Sequence, residues 1–259
     1  MYVYARDRGG VPDPPKDEQL LISYAARCNL PESVADIEKV LRGAWSGRQE
    51  MSDKGLSTLT DDEHQIASSL VRWGYARDSD DWETLAGCFH DDATIHISWI
   101  SASAEEFVAR SRAMAARRRP GDHMKHVIAP PWIRVHRDRA FARCNANLYI
   151  RSTIDGCQFD LQCWIRFFDL LEKRQGVWRI VKRTGVYEKD RMDPVDPRLV
   201  PKDFFAGVDL STFPASARYL CYWATRHGLS PTTNIISVYS DNERALREES
   251  EAWLESAQA

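Results

Sequence analysis

This 259-residue chain lacks the marks of several large protein classes. Its six cysteines (Cys28, Cys88, Cys144, Cys157, Cys163 and Cys221) include no C-x-x-C pair, which points away from a disulfide frame or zinc site and toward reduced, mostly buried thiols. No apolar run approaches the roughly 18 residues of a membrane span. Residues Met1 to Arg8 have no signal-peptide core, so a soluble, cytoplasmic protein with no membrane partner is expected. The net charge is only −3. Nucleic-acid binding needs a basic face to neutralise phosphates, so no nucleic-acid partner is expected. The one basic run, Arg117-Arg118-Arg119, reads as a solvated helix end, where cations favour the dipole. There is no Gly-rich phosphate loop, no G-x-S-x-G, no catalytic cysteine context and no internal repeat.

What the chain does have is aromatic side chains: nine each of Trp, Tyr and Phe, enough to build a core and still wall a cavity for an aromatic ligand. Three regions follow from the pattern. Residues 1–58 form an extension, with helix-averse Val11-Pro12-Asp13-Pro14-Pro15, a short helix over 31–45 and a Gly/Ser/Arg-rich linker. The main domain spans 59–191. Thr60 is an N-cap with Glu63 at the capping-box position, and Ile66, Leu70 and Trp73 recur at helical spacing over 61–77. A short helix near Trp82, an alternating strand from Ala93 to Trp99 and a third helix ending before Pro120-Gly121 come next. Long alternating strands then cover 124–136 (broken at Pro130-Pro131), 139–152, 156–171 and 177–189. Asp155-Gly156 and Arg174-Gln175-Gly176 are the hairpin turns. Helices first and a strand meander after predict an α+β fold with a curved antiparallel sheet. Residues 192–259 form a C-terminal extension, helical over 215–226 and 242–256.

Alternation sorts candidate pocket residues by face. Asn145, Asn147 and Tyr149 share one face of their strand, and Gln162, Trp164, Arg166 and Phe168 share one face of the next. Asn147, Tyr149, Gln162, Trp164 and Phe168 are read as pocket-lining, substrate-binding positions, with His96 as a further polar group. His123 and His126 form H-x-x-H, but a strand puts them on opposite faces and no acidic ligand follows, so no metal site is expected. His64, His90, His136 and His227 read as surface residues.

Several segments together resemble the SnoaL-like branch of the nuclear transport factor 2-like superfamily over roughly residues 60–190. They are Asp78-Ser79-Asp80-Asp81-Trp82-Glu83-Thr84-Leu85, Phe89-His90-Asp91-Asp92-Ala93, Ala104-Glu105-Glu106-Phe107-Val108, His126-Val127-Ile128 and Gly176-Val177-Trp178-Arg179-Ile180. The resemblance implies a cone-shaped sheet wrapped around a long first helix, enclosing a dry pocket. It makes His126 a general base and Asp78 its orienting carboxylate, as in scytalone dehydratase and hexachlorocyclohexane dehydrochlorinase. It offers Arg183 as an anion-stabilising group, near where the dehydrochlorinase holds an arginine. Arg77 stands where scytalone dehydratase has a pocket tyrosine, and Tyr75, three residues before Asp78, is the candidate to replace that hydroxyl.

The expected activity is therefore a cofactor-independent lyase on a small hydrophobic aromatic molecule. Dehydration is the default, and loss of formaldehyde from a diarylpropane diol, as in the similar γ-formaldehyde lyases, is a further option. Dehydrochlorination, isomerisation on the same fold, and a noncatalytic role like the β-subunits of ring-hydroxylating dioxygenases stay open. Relatives of this kind form dimers or trimers, so a homo-oligomer is expected.

Overall fold

Thr60 starts the first helix by a reciprocal cap. Its Oγ1 accepts the Glu63 N–H at 3.2 Å, and the Glu63 carboxylate accepts the Thr60 N–H at 2.8 Å. This helix, α1 (Asp61–Asp78), opens the part of a computed structural model that is described, residues 60–256. The expected extension over residues 1–58, with its short helix and linker, lies outside the described residues. Ile66, Leu70 and Trp73 form the buried stripe of α1, as their spacing requires. Then follow α2 (Trp82–Gly87), β1 (Phe89–Ile97), β2 (Ile100–Ser103) and α3 (Ala104–Ala115). Asp81 caps α2 and Ser103 caps α3 through their side-chain oxygens.

The remaining strands are β3 (His123–Ile128), β4 (Trp132–His136), β5 (Arg139–Ile154), β6 (Cys157–Arg174) and β7 (Val177–Pro194). Pro130 and Pro131 fall in the gap between β3 and β4, both of which pair with β5. The two hairpin turns have the left-handed backbone that a two-residue loop demands: φ is 49° at Asp155 and 82° at Gly156, then 52° at Gln175 and 80° at Gly176. Beyond β7 come three short 3₁₀ turns, α4 (Arg218–Arg226), β8 (Ile236–Ser237) and α5 (Asp241–Glu255).

The sheet runs in the order β2-β1-β7-β6-β5-β3. It is an α+β fold with a curved sheet, but mixed rather than wholly antiparallel. β1 lies parallel to β7, and so does β8. The long stretch of chain between β1 and β7 supplies the crossover that parallel neighbours need.

Each sheet face has its own core. The inner face packs against α1, with Ala142, Ala146, Leu148, Ile165 and Phe167 among its buried residues. On the outer face, Phe141, Phe168 and Val186 pack with Leu246 and Leu254 of α5. The C-terminal helix α4 contributes Leu220, Cys221, Tyr222 and Trp223 to the inner core.

Gly74 brings α1 and β3 together. A Cβ there would sit 2.9 Å from Cγ1 of Ile128 and 3.8 Å from Cβ of His126. Glycine inside a helix costs about 1 kcal/mol relative to alanine. Here the missing side chain is the condition for β3 to lie against the helix.

Candidate active site

Asp78 is the last residue of α1, and its carboxylate grips His126 at two points. One oxygen accepts the His126 backbone N–H at 2.6 Å and the other lies 2.6 Å from ring Nδ1. A carboxylate accepts only, so Nδ1 carries the proton and Nε2 keeps its lone pair. Among the described residues Nε2 has no protein partner. The edge of Trp73 meets the imidazole at 5.3 Å and 76°, closing one side. Burial pushes the His126 pKa below the usual histidine value, against the pull of Asp78. The ring is thus held neutral, oriented and basic at one nitrogen.

His126 opens onto an inner chamber of about 40 Å³, walled by Trp73, Trp99, Phe107, Ile165, Phe167 and Trp223. An outer cavity of about 240 Å³ shares Arg77, Met114, Met124 and Trp223 with it. The inner chamber has room for only a few waters, whereas a cavity of roughly 150 Å³ takes up benzene. By volume an aromatic ring fits the outer cavity and not the inner chamber.

α4 covers this region. It has no side-chain cap of its own; instead Asp190 of β7 accepts the Leu220 N–H at 2.8 Å. Burial raises the Asp190 carboxyl to about 6. Leu220 and Trp223 of this helix line the inner chamber.

Other expected site residues are placed differently. Tyr75 is 75% exposed. Trp73 and Arg77 take the inward positions of the last turns, and Tyr75, two residues from each, falls on the opposite side. Arg183 is fully buried, but both its Nε and its Nη2 bind the carboxylate of Asp169, at 2.6 and 2.9 Å. Its guanidinium carbon lies 4.2 Å from the Trp73 ring and 4.4 Å from the Phe167 ring, two rings that meet each other edge-on. Nη1 lacks an acceptor, and Arg183 lines neither cavity. Its charge is already answered by Asp169, so it is not the free anion-stabilising group that was expected.

The expected pocket face of the strands is the outer one. Asn147, Tyr149, Gln162, Trp164 and Phe168 alternate with Leu148, Ile150, Leu161, Ile165 and Phe167, and the second set is buried toward α1. Gln162 donates to the Tyr149 hydroxyl across the strands at 3.2 Å, Lys189 lies over Trp164 at 4.7 Å, and Phe168 sits under α5. His96 likewise turns away from Ile97, a chamber residue, and bonds Ser101 on the facing strand at 2.7 Å. Of the expected surface histidines, His90 is buried with Nε2 on the Glu172 carbonyl, and His227 stacks on Trp223 at the outer cavity.

Tyr187 was not anticipated. It lines the inner chamber and its hydroxyl accepts the Ser98 N–H at 2.7 Å, which leaves its own proton to give. Burial raises its pKa, so it stays protonated. The signal is its alternation with Arg183 and Gly185 along β7. Arg117 and Arg118 are exposed just beyond the end of α3, as a solvated helix end requires, and they also line the outer cavity. All five described cysteines are buried and unpaired, and burial lifts Cys144 and Cys221 to about 12, far from a reactive thiolate. Among the described residues no cluster of His, Cys, Asp and Glu is arranged to hold a metal, and no helix is long and apolar enough to cross a membrane.

Residues 58–184 match the SnoaL-like domain. The chain is 33% identical over 157 residues to Pea pathogenicity protein 2 of Fusarium vanettenii, and 30% identical over 155 residues to a PEP2-like protein of the same fungus. Each match covers 58% of this chain and 64% of the relative, so the likeness spans less than two thirds of those proteins. Among solved structures, a "Putative Scytalone Dehydratase" from Novosphingobium aromaticivorans aligns at TM-score 0.43 and 18% identity, over 49% of this chain and 85% of that one. A protein of unknown function with a cystatin-like fold from Nostoc punctiforme aligns at 0.38 and 20%, over 54% and 98%. These likenesses concern the fold and say nothing about a reaction.

Proposed function

The protein belongs to the SnoaL-like branch of the nuclear transport factor 2-like superfamily through residues 58–184, and from that premise we propose that it is a cofactor-independent lyase acting on a small aromatic molecule. The observation that carries this reading is the two-point clasp of Asp78 on His126, with Nε2 free at a chamber of aromatic side chains. A structural histidine in a core has both ring nitrogens occupied; this one has a single nitrogen oriented and the other available.

In the proposed reaction the substrate ring occupies the outer cavity and its reacting carbon faces His126. Nε2 takes a proton from that carbon, and the electron pair becomes a new double bond to the neighbouring carbon. The hydroxyl on that neighbour leaves as water, protonated by the Tyr187 phenol, which recovers its proton from the imidazolium. Asp78 steadies the imidazolium while it lasts, and the absence of bulk water strengthens that interaction. Loss of formaldehyde from a diarylpropane diol uses the same base on the terminal hydroxyl proton: the C–C bond breaks to release formaldehyde, and its electron pair forms the new double bond as the neighbouring hydroxyl leaves as water.

The experiment is mass spectrometry of purified protein, without added metal or cofactor, on aryl alcohols, diarylpropane diols and chlorinated rings. The expected result is loss of water, formaldehyde or HCl. Replacing His126 by Ala lowers kcat/KM by about 100- to 10,000-fold, the usual worth of a positioned base. A His126→Ala enzyme within a few-fold of wild type on a turned-over substrate rules the dyad out. Isomerised product of unchanged mass would make the protein an isomerase.

A further inference from the structure

The region where the two cavities meet holds a buried cation to which, among the described residues, no carboxylate is hydrogen-bonded; Asp78 and Asp80 act on it only through their charge. Arg77 sits one residue before Asp78 in the last turn of α1, is only 4% exposed, and lines both the inner chamber and the outer cavity. Its hydrogen bond among the described residues is a weak one, Nη2 to the Met114 sulfur at 3.7 Å, and the Trp82 ring lies 5.9 Å from its guanidinium carbon. The neighbouring carboxylates are occupied. Both Asp78 oxygens hold His126, and both Asp80 oxygens hold the Arg118 guanidinium at 3.0 and 3.1 Å.

A buried guanidinium is costly unless an acceptor answers it. Arg183, the other fully buried arginine, has a bidentate carboxylate; Arg77 has none among the described residues. Burial lowers the Arg77 pKa to about 10, which still leaves it charged at neutral pH. The approach to it is basic as well: Arg117, Arg118, His123 and His227 line the outer cavity, with Asp122 the one carboxylate among the lining residues. Such a mouth favours an anion on its way in. The guanidinium fork matches two oxygens on one carbon.

We propose that Arg77 is a binding site for a carboxylate carried by the aromatic substrate, held where the two cavities meet. This inference rests on the lyase reading for the word substrate, but its test does not depend on turnover. An acid group on Arg77 anchors the ring in the outer cavity and places the adjacent carbons at His126, which is held by Asp78, the next residue along α1 from the fork that holds the acid. The site then distinguishes aryl acids from neutral aromatics of the same shape.

The test is a titration of wild-type protein with phenylacetate and with phenylacetamide, followed by calorimetry and by quenching of tryptophan fluorescence. The acid is expected to bind at least about tenfold more tightly than the amide, the scale of one charge-assisted contact. Arg77→Met should erase the preference, Arg77→Lys should retain part of it, and Arg191→Met, at an exposed residue that lines neither cavity, should leave it intact. His126→Asn should also keep it, so failure of the lyase reading and failure of this one show separately. Equal binding of acid and amide, no binding of either, or a preference that survives Arg77→Met or vanishes in His126→Asn would each overturn the proposal. If Arg77→Met does not fold, as judged by circular dichroism, the wild-type comparison and Arg77→Lys decide.

Discussion

The two faces of the sheet use their polar side chains in different ways. On the outer face many polar groups pair with one another, Arg166 with Glu188, Arg139 with Glu172 and Gln162 with Tyr149, and the unpartnered atoms, Arg143 Nε and Asn147 Oδ1, belong to residues that line neither the inner chamber nor the outer cavity. On the inner face they keep capacity in hand. His126 has a free nitrogen and Tyr187 a free proton, and on the facing helix α1 Arg77 has no carboxylate hydrogen-bonded to it among the described residues. A polar residue on a sheet is therefore a poor guide to chemistry by itself. The informative quantity is the bonding capacity left over once its neighbours are counted.

The sharpest test of that contrast is the inner pair that is fully neutralised. Asp169→Asn strands the Arg183 charge beside Trp73 and Phe167, and denaturant unfolding should show a loss of about 3–5 kcal/mol. A loss below 1 kcal/mol would mean that the pair is not the structural anchor its burial implies. Next is the spacing between α1 and β3. Gly74→Ala forces Ile128 aside, so stability should fall by about 1–3 kcal/mol. Turnover should fall with it, because β3 carries His126. A variant with wild-type activity would separate the dyad from the helix–strand contact.

A smaller effect is read from pH. The native His126 pKa lies below 6.5, so between the native and unfolded values the unfolded chain binds more protons. Its contribution to stability is full above pH 6.5 and is lost as pH falls below it. In His126→Asn that part of the acid-side slope should vanish. Asp190 acts in the opposite sense, because its raised carboxyl binds more protons in the native state between the ordinary aspartate value of 3.8 and about 6. The subtraction must therefore be made within one background. The smallest effect is expected on the outer face: Gln162→Ala should change stability by less than about 0.5 kcal/mol and leave turnover alone. A large loss of activity there would return the amide to the pocket.

The sequence made the local elements legible because their determinants are local. The Thr60–Glu63 cap, the Ile66/Leu70/Trp73 stripe and the Asp155-Gly156 turn need no knowledge of the rest of the chain. The choice of inner face was not local. Alternation separates Asn147 and Gln162 from Leu148 and Ile165, but only packing against α1 says which set is enclosed, and the amides were read as pocket walls when the aliphatic residues are. The partner of Arg183 was hidden for a different reason. Counting back from the turn, where Arg174 faces Val177, places Phe168 opposite Arg183. A bulge between Leu170 and Leu171 shifts the ladder by one residue and brings Asp169 there. The Asp78–His126 pair came through family resemblance, since 48 residues separate the two and neither carries a local sign of the other. Arg77 is expected from the resemblance as a substrate-binding residue, though no ligand group follows from it, and Tyr187 carries no sign in the sequence beyond its alternation with Arg183 and Gly185.

The clasp on His126 has one more consequence. Asp78 holds a backbone N–H and a ring nitrogen of the same residue, and His126 faces Leu148 across the β3–β5 ladder. If β3 slipped by one position, the carboxylate would meet Lys125 or Val127, whose side chains offer it no ring nitrogen, and the imidazole would point out of the chamber. Under the proposed chemistry a misregistered molecule is a silent one. Specific activity would then count correctly threaded sheets, and the enzyme would report its own folding yield.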